Sequence, residues 1–301
     1  MSREAHIDNL DRLTVLHSQL MDEALVELEN AAASIVAALP VNSGKLYNLE
    51  AAISARQELQ QAMTNNFMNN AQGIVDSYDE AVGTLASLYQ EVLVTGVLTA
   101  TQSESIRQLK FMSFQGFEEI ANAHLELMAR EVYQSTLTGR AVSETVQAIR
   151  HAINGVYIQS NDDEAQALVD FISKNRDDAT KAAQVNKAID LLHSTYSRDR
   201  LGNNLRRYAN SYARDSLMQF SASANMAIVA DLEIDRWEYY GDVIKDSRDW
   251  CVEHDGQIMT TQEIRDEWAS RSWKGKSSGD PFIVRGGYNC RHHFVAVVDK
   301  P

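Results

Sequence analysis

Apolar positions recur every three to four residues through most of this chain, and the period changes only near the C-terminus. Between residues 8 and 39, Leu13, Leu16, Leu20, Ala24, Leu28, Ala31, Ile35 and Leu39 share one helical face. Asp8 is the expected N-cap, with Asp11 at the capping-box position, and Pro40 ends the segment by pushing its predecessor out of the helical region. Val41-Asn42-Ser43-Gly44 reads as a loop, followed by a second helical stretch to about residue 94. Gly73 and Gly83 weaken that stretch by ~1 kcal/mol each relative to alanine, and Thr95-Gly96 breaks it. A third helix is expected over 101–136, stopped by Leu137-Thr138-Gly139. Shorter helices follow: to about 153 with Ser143 as cap, over 164–173 behind Ser160 and Asp163, over 177–196, and over 200–230 with a kink near Gly202.

From residue 234 the pattern alternates. Ile234-Asp235-Arg236-Trp237-Glu238-Tyr239-Tyr240 carries the aromatic, period-two signature of a strand, and Gly241-Asp242 turns the chain. A short helix over 261–268, a Lys/Ser/Gly loop over 272–279 and a final strand over 290–298 complete the reading. The expected fold is mainly α: a long-helix bundle or stalk over 1–233, with subdivisions near 95–100 and 139–160, then a small α+β module over 234–301. No internal repeat of fixed period is present.

Charge sharpens this division. The chain carries a net charge of -14, and residues 234–301 are nearly neutral with 10 basic against 12 acidic side chains. The helical body, with 18 basic against 30 acidic residues, repels phosphate backbones and argues against tight, sequence-independent DNA wrapping. No apolar run approaches the ~20 residues of a membrane span, and the start of the chain lacks the apolar core of a signal peptide.

All four tryptophans, both cysteines and three of the eight histidines lie after residue 233. They gather in two clusters, Asp249-Trp250-Cys251-Val252-Glu253-His254-Asp255-Gly256 and Gly286-Gly287-Tyr288-Asn289-Cys290-Arg291-His292-His293-Phe294. In a strand, residues i and i+2 share a face, so Cys290 and His292 point together and Arg291 and His293 point away. If the Cys251–His254 turn folds over that face, then Cys251, His254, Cys290 and His292 form an N/S set suited to tetrahedral zinc. His293 replaces His292 if the backbone forms a knuckle there. Two other readings stand beside the metal: Cys290 and His292 as ordinary core residues, and a Cys251–Cys290 disulfide, which a reducing cytosol disfavours.

The remaining candidates read as structure. His17, His124, His151 and His193 sit alone on helical surfaces, solvated or hydrogen-bonded, without the spacing of a metal helix. Met63, Met68 and Met112 read as gap-filling core. Asp255-Gly256 is a turn with Gly256 at positive φ, and Arg291 is an interior ion-pair partner for Asp246 or Asp249.

The order strand, Asp-x-Arg-x-x-Cys, x-x-His-Asp-Gly, glycine-rich loop, Asn-Cys-Arg-His, apolar strand resembles the C-terminal domain of the phage Mu F-like head morphogenesis family. The residues that carry it are Asp246, Arg248, Cys251, His254, Asp255 and Gly256, then Gly286, Gly287, Asn289, Cys290, Arg291 and His292. The helix before them, with Arg206, Arg207 and Arg214, is similar to the run leading into that domain, so the resemblance covers about the last hundred residues. Many family members end the motif in Asn-Cys-Arg-Cys, whereas this chain places His292 at the second cysteine, a change that keeps a metal ligand on the strand.

The resemblance implies a minor capsid protein of a tailed phage, non-catalytic, acting in procapsid assembly at the portal vertex and in genome exit. Its implied partners are the portal protein and other head proteins, with packaged DNA met only indirectly and self-association allowed. Its implied place is the capsid interior, after assembly in the host cytoplasm. A metal-dependent His/Cys nuclease is the enzymatic alternative, with His254-Asp255, Asn289 and His293 in its roles. A toxin-like effector carried by the same module is a third.

Overall fold

The computed structural model describes residues 2–90, 97–155, 163–175, 179–181, 183–185, 187–188, 204–230, 232, 234–245, 247–287 and 290–297. They are mostly helical, with a small sheet near the C-terminus. Helix α1 spans Arg3–Ala37. It starts earlier than Asp8 because Ser2 Oγ accepts the Ala5 N–H at 3.2 Å, which is the bond of an N-cap. The segment read as a loop is a tight hairpin, β1 (Val41–Asn42) against β2 (Lys45–Leu46). Ser43 and Gly44 hold φ of 50° and 75° at its tip, the double left-handed turn that matches strand twist.

The second helical stretch is segmented. Helix α2 (Leu49–Ala62) runs into a π-helical turn over Met63–Met68, then α3 (Asn69–Asp76) and α4 (Tyr78–Leu88). Helix α5 covers Ala100–Thr138, as the pattern indicates, and α6 covers Val142–Asn154 with Ala141, not Ser143, at its N-cap. Helix α7 spans Asp163–Asn175, a 3-10 turn follows at Ala179–Lys181, and α8 spans Leu205–Val229. Ser160 and Gly202 lie outside the described residues. None of the described helices is long and apolar enough to cross a membrane.

The chain forms two compact units. One comprises residues 28–62 and 122–208. Leu28, Ala32, Leu59, Met128, Val132, Ile149 and Ile153 are buried in it. Its hairpin docks through Leu46 N–H to the Arg140 carbonyl at 3.1 Å, and Arg150 pairs with Glu29 at 3.0 Å. His124 is buried here beside the Tyr208 ring (5.9 Å), not on a helix surface.

The other unit comprises residues 1–27, 63–121 and 209–301. Its helical part buries Leu13, Met21, Phe67, Ile74, Tyr78, Phe117, Leu217 and Phe220. Tyr78 stacks obliquely on Phe220 (4.7 Å) and bonds Ser216 Oγ at 2.7 Å. His17 is fully buried and bonds Ser77 Oγ at 2.7 Å. Met63 is core, whereas Met112 is 63% exposed and fills no gap.

Residues 234–301 do not form a compact unit of their own. Their sheet has the order β4-β3-β5, with β3 (Arg236–Tyr240) between β4 (Ile258–Thr260) and β5 (His293–Ala296), all antiparallel. Tyr239 faces Phe294, and Trp237 faces both Met259 and Ala296. All four β5 residues are buried, because the free edge of that strand is closed by side chains from the helices. Asn225 of α8 donates to the Phe294 carbonyl at 2.8 Å, and the Ala296 N–H donates to Tyr89 Oη at 3.1 Å. Tyr89 Oη in turn donates to Asn225 at 2.7 Å. A bare strand edge would leave those backbone groups without partners, so the sheet is built into the unit that contains α4 and residues 209–229 of α8.

Candidate metal centre

The central strand β3 exposes Arg236 and buries Trp237 and Tyr239, so the pleat points Tyr239 inward. After β3 the chain loops into α9 (Asp249–His254), a short helix where the sequence suggested only a turn. Asp255-Gly256 turns it into β4, with Gly256 at φ +74° as expected. Helix α10 (Thr261–Ser270) is fixed by a full capping box between Thr260 and Glu263. Asp280 caps α11 (Pro281–Val284) by accepting the Phe282 N–H at 3.0 Å.

Arg285, at φ +56°, then redirects the chain toward Gly286-Gly287 and the second cluster. A Cβ on Gly286 would stand 2.4 Å from Cys251 Sγ, and one on Gly287 would stand 2.0 Å from the Gly275 carbonyl oxygen. The glycine pair therefore lets the backbone slide directly over the first cluster.

Cys251, Cys290 and His292 meet there, all buried, with one ligand atom of each within 4.8 Å of the others. Both cysteines are free thiols, with Sγ atoms 3.6 Å apart. Tyr239 Oη lies 3.4 Å from each sulfur. The pair shares charge unevenly. The hydrogen bond from Cys251 holds Cys290 well below the usual thiol pKa against its burial, helped by His292, by the Arg285 charge and by Tyr239. Cys251 is pushed far up by the same bond and by burial, since a second anion would sit against the first. Burial and the adjacent thiols raise Tyr239 well above 10.

Two buried cysteines and an imidazole are a donor set for a soft or borderline divalent cation. Zinc at ~2.3 Å from each of two sulfurs in tetrahedral geometry sets them about 3.8 Å apart, close to the spacing here. These three residues could hold such an ion. Asp255 Oδ1 stands 3.4 Å from His292 Nε2, the position of a carboxylate that orients a ligating histidine.

No family model, curated protein or solved structure matches this chain.

His254, assigned to the ligand set by its spacing, is not in it. Its Nδ1 faces the Trp250 carbonyl at 2.8 Å and its Nε2 faces Glu267 at 2.8 Å, while the ring stacks on Trp250 at 3.9 Å. Both nitrogens face oxygens of other residues, Trp250 and Glu267, rather than the cysteines. His254 lies three residues after Cys251 in α9, but its ring is drawn to Trp250 and to Glu267 of α10 instead of joining the cysteines.

Cys290 and His292 are not strand residues. Strand β5 begins only at His293, so the two ligands converge in the irregular segment before it. His293, the alternate ligand, stands apart in a buried niche near His6, with ring centroids 6.3 Å apart. Burial and the Arg285 charge keep it neutral. Arg291 is exposed and neighbours Asp11, so it is not an interior ion-pair partner. Arg248 is half-buried beside Gly275. Asp246 and Asn289 lie outside the described residues. The interior arginine is Arg285, which no sequence signal singled out; Tyr239 was read only as a strand residue.

A cleft of about 40 Å³ opens onto the three ligands, bordered by Asp242, Ser247, Arg248 and Arg291. That volume suits a water or two rather than a substrate.

Proposed function

We propose that this chain is a non-catalytic minor capsid protein of a tailed phage, acting in procapsid assembly at the portal vertex and in genome exit. Its partners on this reading are the portal protein and other head proteins, and its place is the capsid interior after assembly in the host cytoplasm. A structural zinc on Cys251, Cys290 and His292 stiffens its C-terminal sheet. The observation that supports the reading is the meeting of residues 251–256 with residues 286–292, the two clusters that carry the family resemblance, in a buried centre with only a water-sized opening. The acidic charge of residues 1–233 fits a surface that faces packaged DNA without adhering to it. The nuclease alternative needs a histidine nitrogen facing water, and both ring nitrogens of His254 face protein oxygens, the Trp250 carbonyl and Glu267.

Co-expression with a tailed-phage portal protein tests the proposal. A stable complex on size exclusion, together with peptides of this chain in purified virions, is the expected result. Magnesium-dependent DNA cleavage by the purified protein, abolished by His254→Ala, would replace the structural reading with the enzymatic one.

A further inference from the structure

We infer that Tyr239 is the fourth ligand of the metal centre, so that the site closes as Cys251, Cys290, His292 and Tyr239 with no exchangeable position. The inference rests on the zinc reading above and adds to it a donor that spacing rules do not seek.

The argument is geometric. Tyr239 Oη is equidistant from the two sulfurs, 3.4 Å from each, and the sulfurs are 3.6 Å apart. The three atoms make a nearly equilateral triangle. Around a tetrahedral zinc with ~2.3 Å bonds to sulfur and ~2.0 Å bonds to oxygen, a sulfur–oxygen edge is about 3.5 Å and a sulfur–sulfur edge about 3.8 Å. The triangle already has nearly those edges, whereas a disulfide would need the sulfurs at ~2.05 Å.

One side of the triangle is shut. A Cβ built on Gly286 would stand 2.4 Å from Cys251 Sγ and 3.0 Å from both Cys290 Sγ and Tyr239 Oη, so the Gly286 backbone lies directly over that face. A cation must sit on the opposite side. Cys251, Cys290 and His292 line the cleft, and neither Gly286 nor Tyr239 does. A ring nitrogen of His292 lies within 4.8 Å of both sulfurs, and its ring stacks on Tyr239 with centroids 4.9 Å apart and planes 13° apart.

The surroundings hold the phenol in place. Tyr239 is fully buried on the central strand, wedged between Phe294 (4.7 Å) and the His292 ring. Its hydroxyl has the two sulfurs as its hydrogen-bond partners. A lone pair of Oη is thus delivered to the cation by the same packing that fixes the strand, and the phenol occupies the fourth corner.

Full-length protein loaded with cobalt(II) tests this, because a tetrahedral cobalt centre reports its ligands in visible absorption. Wild type and Tyr239→Phe are compared with and without azide, a small anion that takes an open coordination position. The expected result is a wild-type spectrum indifferent to azide and a Tyr239→Phe spectrum that differs at rest and shifts on adding azide, with metal affinity reduced 10-fold or more. Tyr239→Phe removes only one oxygen and keeps the ring packing, and its unchanged melting profile without metal would show that the fold is intact. A wild-type spectrum that responds to azide, or a variant indistinguishable from wild type, would overturn the role of Tyr239 while leaving the three-ligand metal site standing. Absence of any cobalt or zinc binding by wild type would remove the metal reading itself and this inference with it.

Discussion

Asp215→Ala will lower unfolding stability by about 3–5 kcal/mol, because it strands a fully buried cation. Arg285 is 0% exposed, and its Nη2 stands 3.5 Å from Asp215 Oδ1 on helix α8. The rest of its guanidinium is thinly satisfied among the described residues: Nη1 donates to the Ile283 carbonyl at 2.6 Å, while Nε and Nη2 have no hydrogen-bond partner. Without the carboxylate nothing offsets the desolvation of that charge. Replacing both residues with apolar ones, Asp215→Leu with Arg285→Met, should recover most of the loss, since a buried pair is costly to break and cheap to replace. Urea unfolding of the three proteins in chelator, so that metal plays no part, checks this. A loss under 1 kcal/mol for Asp215→Ala would mean that the two side chains are not paired.

Acid is the second large lever. Burial depresses His6 and His17 from 6.5 to about 4, the second against a backbone hydrogen bond at Ala213 that raises it. Both stay neutral in the folded chain at pH values where the unfolded chain has already protonated them. The unfolded state then binds more protons, so stability rises with pH across this window. The contribution is complete above about pH 6.5 and is lost as the pH falls toward 4, by about 3 kcal/mol for each histidine. His6 is held among Thr84 (2.7 Å), Ser221 (3.4 Å) and the neutral His293, and no carboxylate among the described residues pairs with it. Urea midpoints measured between pH 7.5 and 4.5 should fall steadily, and His17→Gln should flatten the slope while keeping a bond to Ser77. A midpoint unchanged over that range would contradict the burial of both rings.

How far the sequence reveals this molecule depends on the range of the forces involved. Long helices were legible because their signal is local: the apolar stripe over 8–39 became α1 and the one over 101–136 became α5. The switch to period two at residue 234 marked β3 for the same reason. The meeting of Cys251 with Cys290 and His292 was one of three readings that the motifs allowed, beside ordinary core residues and a disulfide, and the structure brings the three together as free side chains. What the spacing missed was orientation. Residues 249–254 wind into a helix, which sends His254 toward Glu267 and leaves Asp255 to face His292.

Contacts distant in sequence were out of reach. Nothing near residue 294 announces that Asn225 and Tyr89 will close the edge of β5, yet those bonds fold residues 234–301 into a larger unit instead of a separate module. Arg285 was hidden for a related reason. An arginine in a loop reads as solvated, and only the position of Asp215 on α8 explains its burial. Tyr239 looked like one aromatic of a strand, since its partners arrive from residues 251 and 290.

The central claim, that the two distant clusters build one zinc site, is tested most directly by X-ray absorption at the zinc edge on full-length protein purified without chelator. The account predicts about one zinc per chain with two sulfur neighbours at ~2.3 Å and the remaining neighbours nitrogen or oxygen at ~2.0 Å. Zinc bound without sulfur, or protein that emerges free of metal, would contradict it.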